Sequence, residues 1–135
     1  MTGRTRVVLD TSAYGRLRAG HPEVMRIVAA AEIVYLPTIV LGELEAGFRL
    51  GRRTQENRTM LAEFLREPFT AILPVTKDVA LVYGQLFAEL RTAATPVPVN
   101  DIWIAATTIQ AGAHLATFDR DFDSVERLSR TLLSA

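Results

Sequence analysis

Apolar positions along the chain recur with two different periods. Short, largely β-branched runs, RVVL at 6–9, IVYL at 33–36, AILPV at 71–75 and HLATF at 114–118, read as buried strands. Between them lie stretches of helical period. Val24, Ile27 and Val28 share one face of a helix over 22–31, and further helices are expected over 38–50, 54–66, 78–91 and 101–111. Thr11 or Ser12 is placed to cap a helix after the first strand. Pro74 cannot donate to a ladder, so the third strand is expected to fray or lie near an edge. The segment TAATPVPVN at 92–100 is the one clear loop, and Gly112 stops the helix before the fourth strand. A short helix over 121–128 and a last strand over 130–133 close the chain. Strands alternating with helices predict an α/β fold, a single domain over 1–135 with a parallel sheet covered on both faces. In such sheets the C-terminal ends of the strands share one edge, where ligands bind.

Four carboxylates are delivered to that edge by separate routes. Asp10 ends the first strand. Glu43 lies on the helix after the second strand, where its neighbours three and four positions away are Ile39, Val40, Ala46 and Gly47, none a cation. Glu45, by contrast, has Arg49 one turn on. Asp101 opens the apolar helix DIWIAATTIQAG, and Asp119 follows the fourth strand in ATFDRDFD. Each acid singly has an ordinary explanation as a cap, a turn residue or a solvated helix margin. Together they are costly, because two carboxylates about 4 Å apart repel by roughly 4 kcal/mol at an effective dielectric near 20. Such a cluster protonates or holds a cation, and an all-oxygen donor set suits Mg²⁺ or Mn²⁺. Asp121 can share the role of Asp119, whereas Asp123 reads as solvated. His21 precedes Pro22 and His114 starts a strand, so neither has metal-ligand spacing.

Composition narrows the chemistry. The 135 residues contain 49% hydrophobic and 22% charged side chains, which is globular. There is no cysteine, which excludes disulfides, thiol nucleophiles and cysteine-ligated metals. The 15 acidic residues balance 15 basic ones, so a generally basic coat is excluded but a local patch is not. Of the basic residues only Lys77 is not arginine. Arg49, Arg52, Arg53 and Arg58, with Arg16 and Arg18, are candidates for a basic approach, or for a solvated face paired with Glu45 and Glu56. No stretch approaches the roughly 18 apolar residues of a membrane span, and the N-terminal apolar run is too short for a signal peptide. A cytoplasmic protein is expected.

VVLDTSAY at the N-terminus, PTIVLGELEAGF around Glu43 and VNDIWIAATTIQAGAHLATFDRDF near the end also carry a family resemblance. Together they resemble a PIN domain, and more narrowly the VapC-type toxins of bacterial and archaeal toxin–antitoxin pairs, over nearly the whole chain. The resemblance implies a three-layer α/β/α fold around a parallel sheet of four or five strands. It implies a metal-dependent endoribonuclease, a hydrolase of RNA phosphodiesters that uses a Mg²⁺-activated water. The family's acidic quartet, catalytic and metal-ligating, falls on Asp10, Glu43, Asp101 and Asp119. Thr117 matches a hydroxyl position of the last motif, and Thr11 and Ser12 match the small polar residues after the first acid. A VapB-type antitoxin and a homodimer are further implications.

Competing classes want residues that are absent. A haloacid-dehalogenase-like phosphatase needs a second acid two residues after Asp10, where Ser12 stands. A receiver domain needs an acid at the end of the third strand, and ILPVT has none. No G-x-G-x-x-G turn follows a strand, which removes dinucleotide binding. The alternative is a non-catalytic RNA- or partner-binding module.

Overall fold

A computed structural model describes residues 5–135. Five strands form one sheet, β1 (Arg6–Leu9), β2 (Ile33–Pro37), β3 (Thr70–Leu73), β4 (His114–Thr117) and β5 (Arg130–Leu132). Their order is β3-β2-β1-β4-β5 and every neighbouring pair is parallel. Six helices accompany them, α1 (Thr11–Arg18), α2 (Pro22–Ala30), α3 (Thr38–Leu50), α4 (Thr54–Arg66), α5 (Lys77–Thr92) and α6 (Val99–Gln110), with a short 3-10 helix at Arg120–Ser124. Val7, Val8 and Leu9 are consecutive and all buried, as are the four residues of β4, so both faces of the central strands are covered. This is the expected three-layer α/β/α arrangement with the upper of the two expected strand counts.

Chain order places β1 to β3 on one side of the sheet and β4 and β5 on the other. The order reverses between β1 and β4, where Leu9 lies opposite Ala116. A crevice opens outside the strand ends at such a switch point. Asp10 leaves β1 there and Asp119 follows β4 there, so topology alone converges two of the acids.

Several boundaries shift from the sequence reading. The third strand spans 70–73 rather than 71–75, because Pro74 has no N–H for the ladder. As an edge strand it leaves Ile72 45% exposed. Asp10, not Thr11 or Ser12, caps α1, its side chain accepting from the Ala13 amide. The helix expected over 121–128 is only the 3-10 turn, capped by Asp119. Arg130 accompanies its brevity: its guanidinium donates to the carbonyls of Asp123, Val125 and Leu128 at 3.3, 3.2 and 3.0 Å, and the Val125 carbonyl accepts also from the Leu128 amide at 3.1 Å. Helix α6 begins at Val99, so Asp101 lies in its first turn rather than at its start. Gly112 takes φ 63° just beyond α6, as the sequence anticipates for a glycine stop. His114 is buried and held by the hydroxyls of Ser129 and Thr131, a structural rather than a metal-binding histidine.

Candidate active site

Asp10 is the most buried of the acids, 4% exposed. Its Oδ1 accepts from the Ser12 hydroxyl at 2.7 Å and the Ala13 amide at 2.9 Å, and its Oδ2 from the Thr117 hydroxyl. The Thr117 hydroxyl in turn accepts from the Asp119 amide at 2.9 Å, and the Ser12 hydroxyl from the Phe118 amide at 3.1 Å. The first and last acidic motifs are thus joined through two hydroxyls. Burial pushes the Asp10 carboxyl above its ordinary value, the three donors oppose the shift, and the Asp119 charge adds to it.

Glu43 is half-buried and carries no ion pair among the described residues. The Thr11 hydroxyl donates to its Oε1, and the Asn100 amide donates to its Oε2 at 3.2 Å. The sequence leaves Glu43 without a partner, since both donors come from distant segments. Asn100 was not among the candidate residues. Its place immediately before Asp101 in α6 is the only signal the sequence offers.

Asp101, Asp119 and Asp121 each present a carboxylate oxygen within 4.8 Å of the other two. Asp121 therefore joins Asp119 rather than competing with it, even though Asp119 also accepts from the Asp121 amide at 2.8 Å. The Asp101 carboxyl is pushed from 3.8 up to about 7. Burial is the largest cause, followed by the charges of Asp119, Asp121 and Glu43 and a hydrogen bond with Asp119. Asp10 and Glu43 border this trio, close enough for their charges to act on it, but each spends its oxygens on hydroxyl and amide donors.

This arrangement has a measurable consequence. Between pH 4 and 7 the folded chain holds a proton on Asp101 that an unfolded chain has released, so stability falls as pH rises through that window. The metal-free protein is expected to melt about 3–6 °C lower at pH 8 than at pH 5, after allowance for solvent screening of a half-buried group. Thermal unfolding in chelator at the two pH values measures this, and a higher melting temperature at pH 8 would contradict it.

The expected basic patch is largely paired. Glu45 accepts from Arg49 at 2.7 Å and from Arg58, which ties α3 to α4 and holds the Glu45 carboxyl down to about 2, Arg58 being the larger cause. Arg53 meets Glu56 at 3.5 Å. Arg49, Arg53 and Arg58 thus form the solvated, self-paired face.

A family model for the PIN domain matches residues 7–128, which span all five strand positions except the last. The chain belongs to the PIN domain family. Ribonuclease VapC5 of Mycobacterium tuberculosis is 27% identical over 119 residues, covering 88% of this chain and 87% of that protein. VapC ribonuclease Y4jK of Sinorhizobium fredii is 30% identical over 123 residues, covering 84% and 86%. Among solved structures, VapBC2 from Rickettsia felis, bound to a DNA fragment from its promoter, superimposes with a TM-score of 0.83 at 23% identity over 96% of this chain and 99% of that one. That last likeness concerns the fold of the PIN domain. The resemblance seen in the sequence is borne out, and so is the α/β/α architecture.

Proposed function

We propose that this PIN domain, one domain over 1–135, is a metal-dependent endoribonuclease that hydrolyses RNA phosphodiesters as the toxin of a VapBC-type pair. The observation that carries the reading is the convergence of Asp101, Asp119 and Asp121 within 4.8 Å at the sheet's switch point, beside Asp10 and Glu43. The VapC ribonuclease relatives support the activity.

The residues present fit a hard dication. The donors are carboxylate oxygens throughout, no histidine faces them, and burial together with the charges of Asp119, Asp121 and Glu43 raises the Asp101 carboxyl to about 7, a strain that a cation would relieve. Asp10, Glu43, Asp101 and Asp119 are assigned as the catalytic and metal-holding quartet, with Asp121 contributing beside Asp119. When bound, Mg²⁺ or Mn²⁺ acidifies water to supply the nucleophile and offsets charge on the phosphate oxygens. The chain's own work is positioning. Thr117, Ser12 and the Ala13 amide fix the Asp10 carboxylate, and Thr11 and Asn100 fix Glu43, so the donors are pre-arranged before substrate arrives. To hold a dication, Asp101 would give up the proton on its carboxyl to solvent. Attack by water rather than by the ribose 2′-hydroxyl leaves a 5′-phosphate.

A VapB-type antitoxin is the proposed protein partner, supported by fold neighbours solved as VapBC complexes, and a homodimer is the proposed assembly. None of the described helices is long and apolar enough to cross a membrane, in keeping with a cytoplasmic site of action. Incubating the purified protein with total cellular RNA in Mg²⁺, Mn²⁺ or chelator tests the assignment. Discrete fragments bearing 5′-phosphates are expected in the metal lanes only. An intact RNA profile in every lane from folded, antitoxin-free protein would point instead to the non-catalytic binding module.

A further inference from the structure

Of the cations that the sequence offers as an approach for RNA, Arg49, Arg53 and Arg58 are held by Glu45 and Glu56, whereas Arg16 is not, and Arg120 joins it. Arg16 lies on α1 one helical turn after Ser12, and its guanidinium stands 4.7 Å over the Phe118 ring. Arg120 follows Asp119 directly. Among the described residues neither meets a carboxylate within ion-pair distance, although Arg120 lies between Asp119 and Asp121 in sequence. Both line one open cavity of about 310 Å³ with Phe118 and residues 132–135.

Three features separate this cavity from an ordinary basic surface. It adjoins the acids, because the Phe118 amide donates to the Ser12 hydroxyl that itself binds Asp10. Its two guanidiniums keep their N–H donors unspent on carboxylates, and the contact with Phe118 restrains Arg16 without using those donors. Its volume is at the lower end of ligand pockets, near the size of one nucleotide. The larger cavity of about 650 Å³ between α5 and the 3-10 helix lacks this character, since its Arg127 already meets Glu89 at 3.6 Å and Gln85 at 3.3 Å.

We propose that Arg16 and Arg120, with Phe118 as the shelf between them, form a subsite for a phosphodiester adjoining the one that is cut, holding single-stranded RNA in register with the acid cluster. The proposal rests on the ribonuclease reading. Arg16 and Arg120 are positioning residues: they bind a phosphate that does not react.

Binding of a fluorescein-labelled ten-nucleotide single-stranded RNA, followed by anisotropy in chelator so that nothing is cut, tests the subsite with the full chain. R120A and R16A are each expected to weaken binding about five- to twentyfold and to make the log–log salt dependence shallower by about 0.7. R127A, at a guanidinium already held by Glu89 and Gln85, should change neither quantity. R16K keeps an aliphatic stem over Phe118 and a charge, and should fall between wild type and R16A. In metal, the same factors should appear in KM rather than in kcat. Arg120 is exposed, so R120A reports on the subsite even if R16A unfolds. Binding by R120A within twofold of wild type, or an unchanged salt slope, would overturn the proposal. If the wild type binds RNA without cutting it, the ribonuclease reading fails while the binding comparison still decides the subsite. If it binds no RNA in chelator, the subsite proposal falls, and cleavage in the metal lanes decides the ribonuclease reading by itself.

Discussion

Asp101→Asn is expected to lower RNA cleavage by at least about a thousandfold while leaving the protein folded and, without metal, more stable at pH 8. The substitution keeps the shape of the side chain and removes one of the charges converging at the switch point. Cleavage depends on those charges, because a dication needs them to bind and to act on water and phosphate. Stability is hurt by them. The rise of the Asp101 carboxyl from 3.8 to about 7 corresponds to about 4 kcal/mol against the charged form. Discounted for solvent at a half-buried position, about 1–2 kcal/mol is expected to return in the variant at pH 8. Below about pH 4 Asp101 is protonated in the folded and the unfolded wild type alike, so the two proteins should melt together there, diverge progressively between pH 4 and 7, and the pH dependence of the variant should flatten. Millimolar Mg²⁺ should raise the melting temperature of the wild type and not that of the variant. Retained cleavage would remove Asp101 from the site, and an unchanged pH profile would remove the repulsion.

Thr117→Val should cost about 2–3 kcal/mol, some 6–12 °C in melting temperature, and lower cleavage about ten- to a hundredfold. The side chains are nearly equal in volume, so no cavity is left at this fully buried position. What disappears is the hydroxyl, which donates to Asp10 Oδ2 and accepts from the Asp119 amide. Asp10 then sits buried with one donor fewer, and its carboxyl rises further above its ordinary value. The sign follows: a folded-state value pushed up loses stability as pH rises, so the deficit of the variant should be larger at pH 8 than at pH 5. Thr117→Ser keeps the hydroxyl and should recover most of both losses. A variant as stable and active as wild type would show that Asp10 needs only Ser12 and the Ala13 amide.

Two outcomes show where the limit of sequence reading lies. Sequence spacing leaves the cations after Glu43 open between an RNA approach and a face paired with Glu45 and Glu56, and the packing of α3 on α4, which brings Arg58 to Glu45 across 13 residues, decides for the paired face. The short helix expected over 121–128 has the right apolar spacing, yet it ends as a 3-10 turn, and Arg130 donates to the Val125 and Leu128 carbonyls beyond it. In both cases a long side chain from another segment takes part in the outcome, and periodicity carries no record of such reach.

By itself the sequence determined the alternation of buried strands and amphipathic helices, the parallel sheet, and the four acids assigned to its C-terminal edge. These follow from apolar period and from the rule that strands in a parallel sheet end together, both of which are local or purely topological. Only the tertiary structure decided which acids meet, that Asp121 joins Asp101 and Asp119, and that Glu43 is held by Thr11 and Asn100. Those outcomes depend on side-chain directions and hydrogen bonds between segments up to 107 residues apart, as between Thr117 and Asp10, which spacing along the chain does not encode.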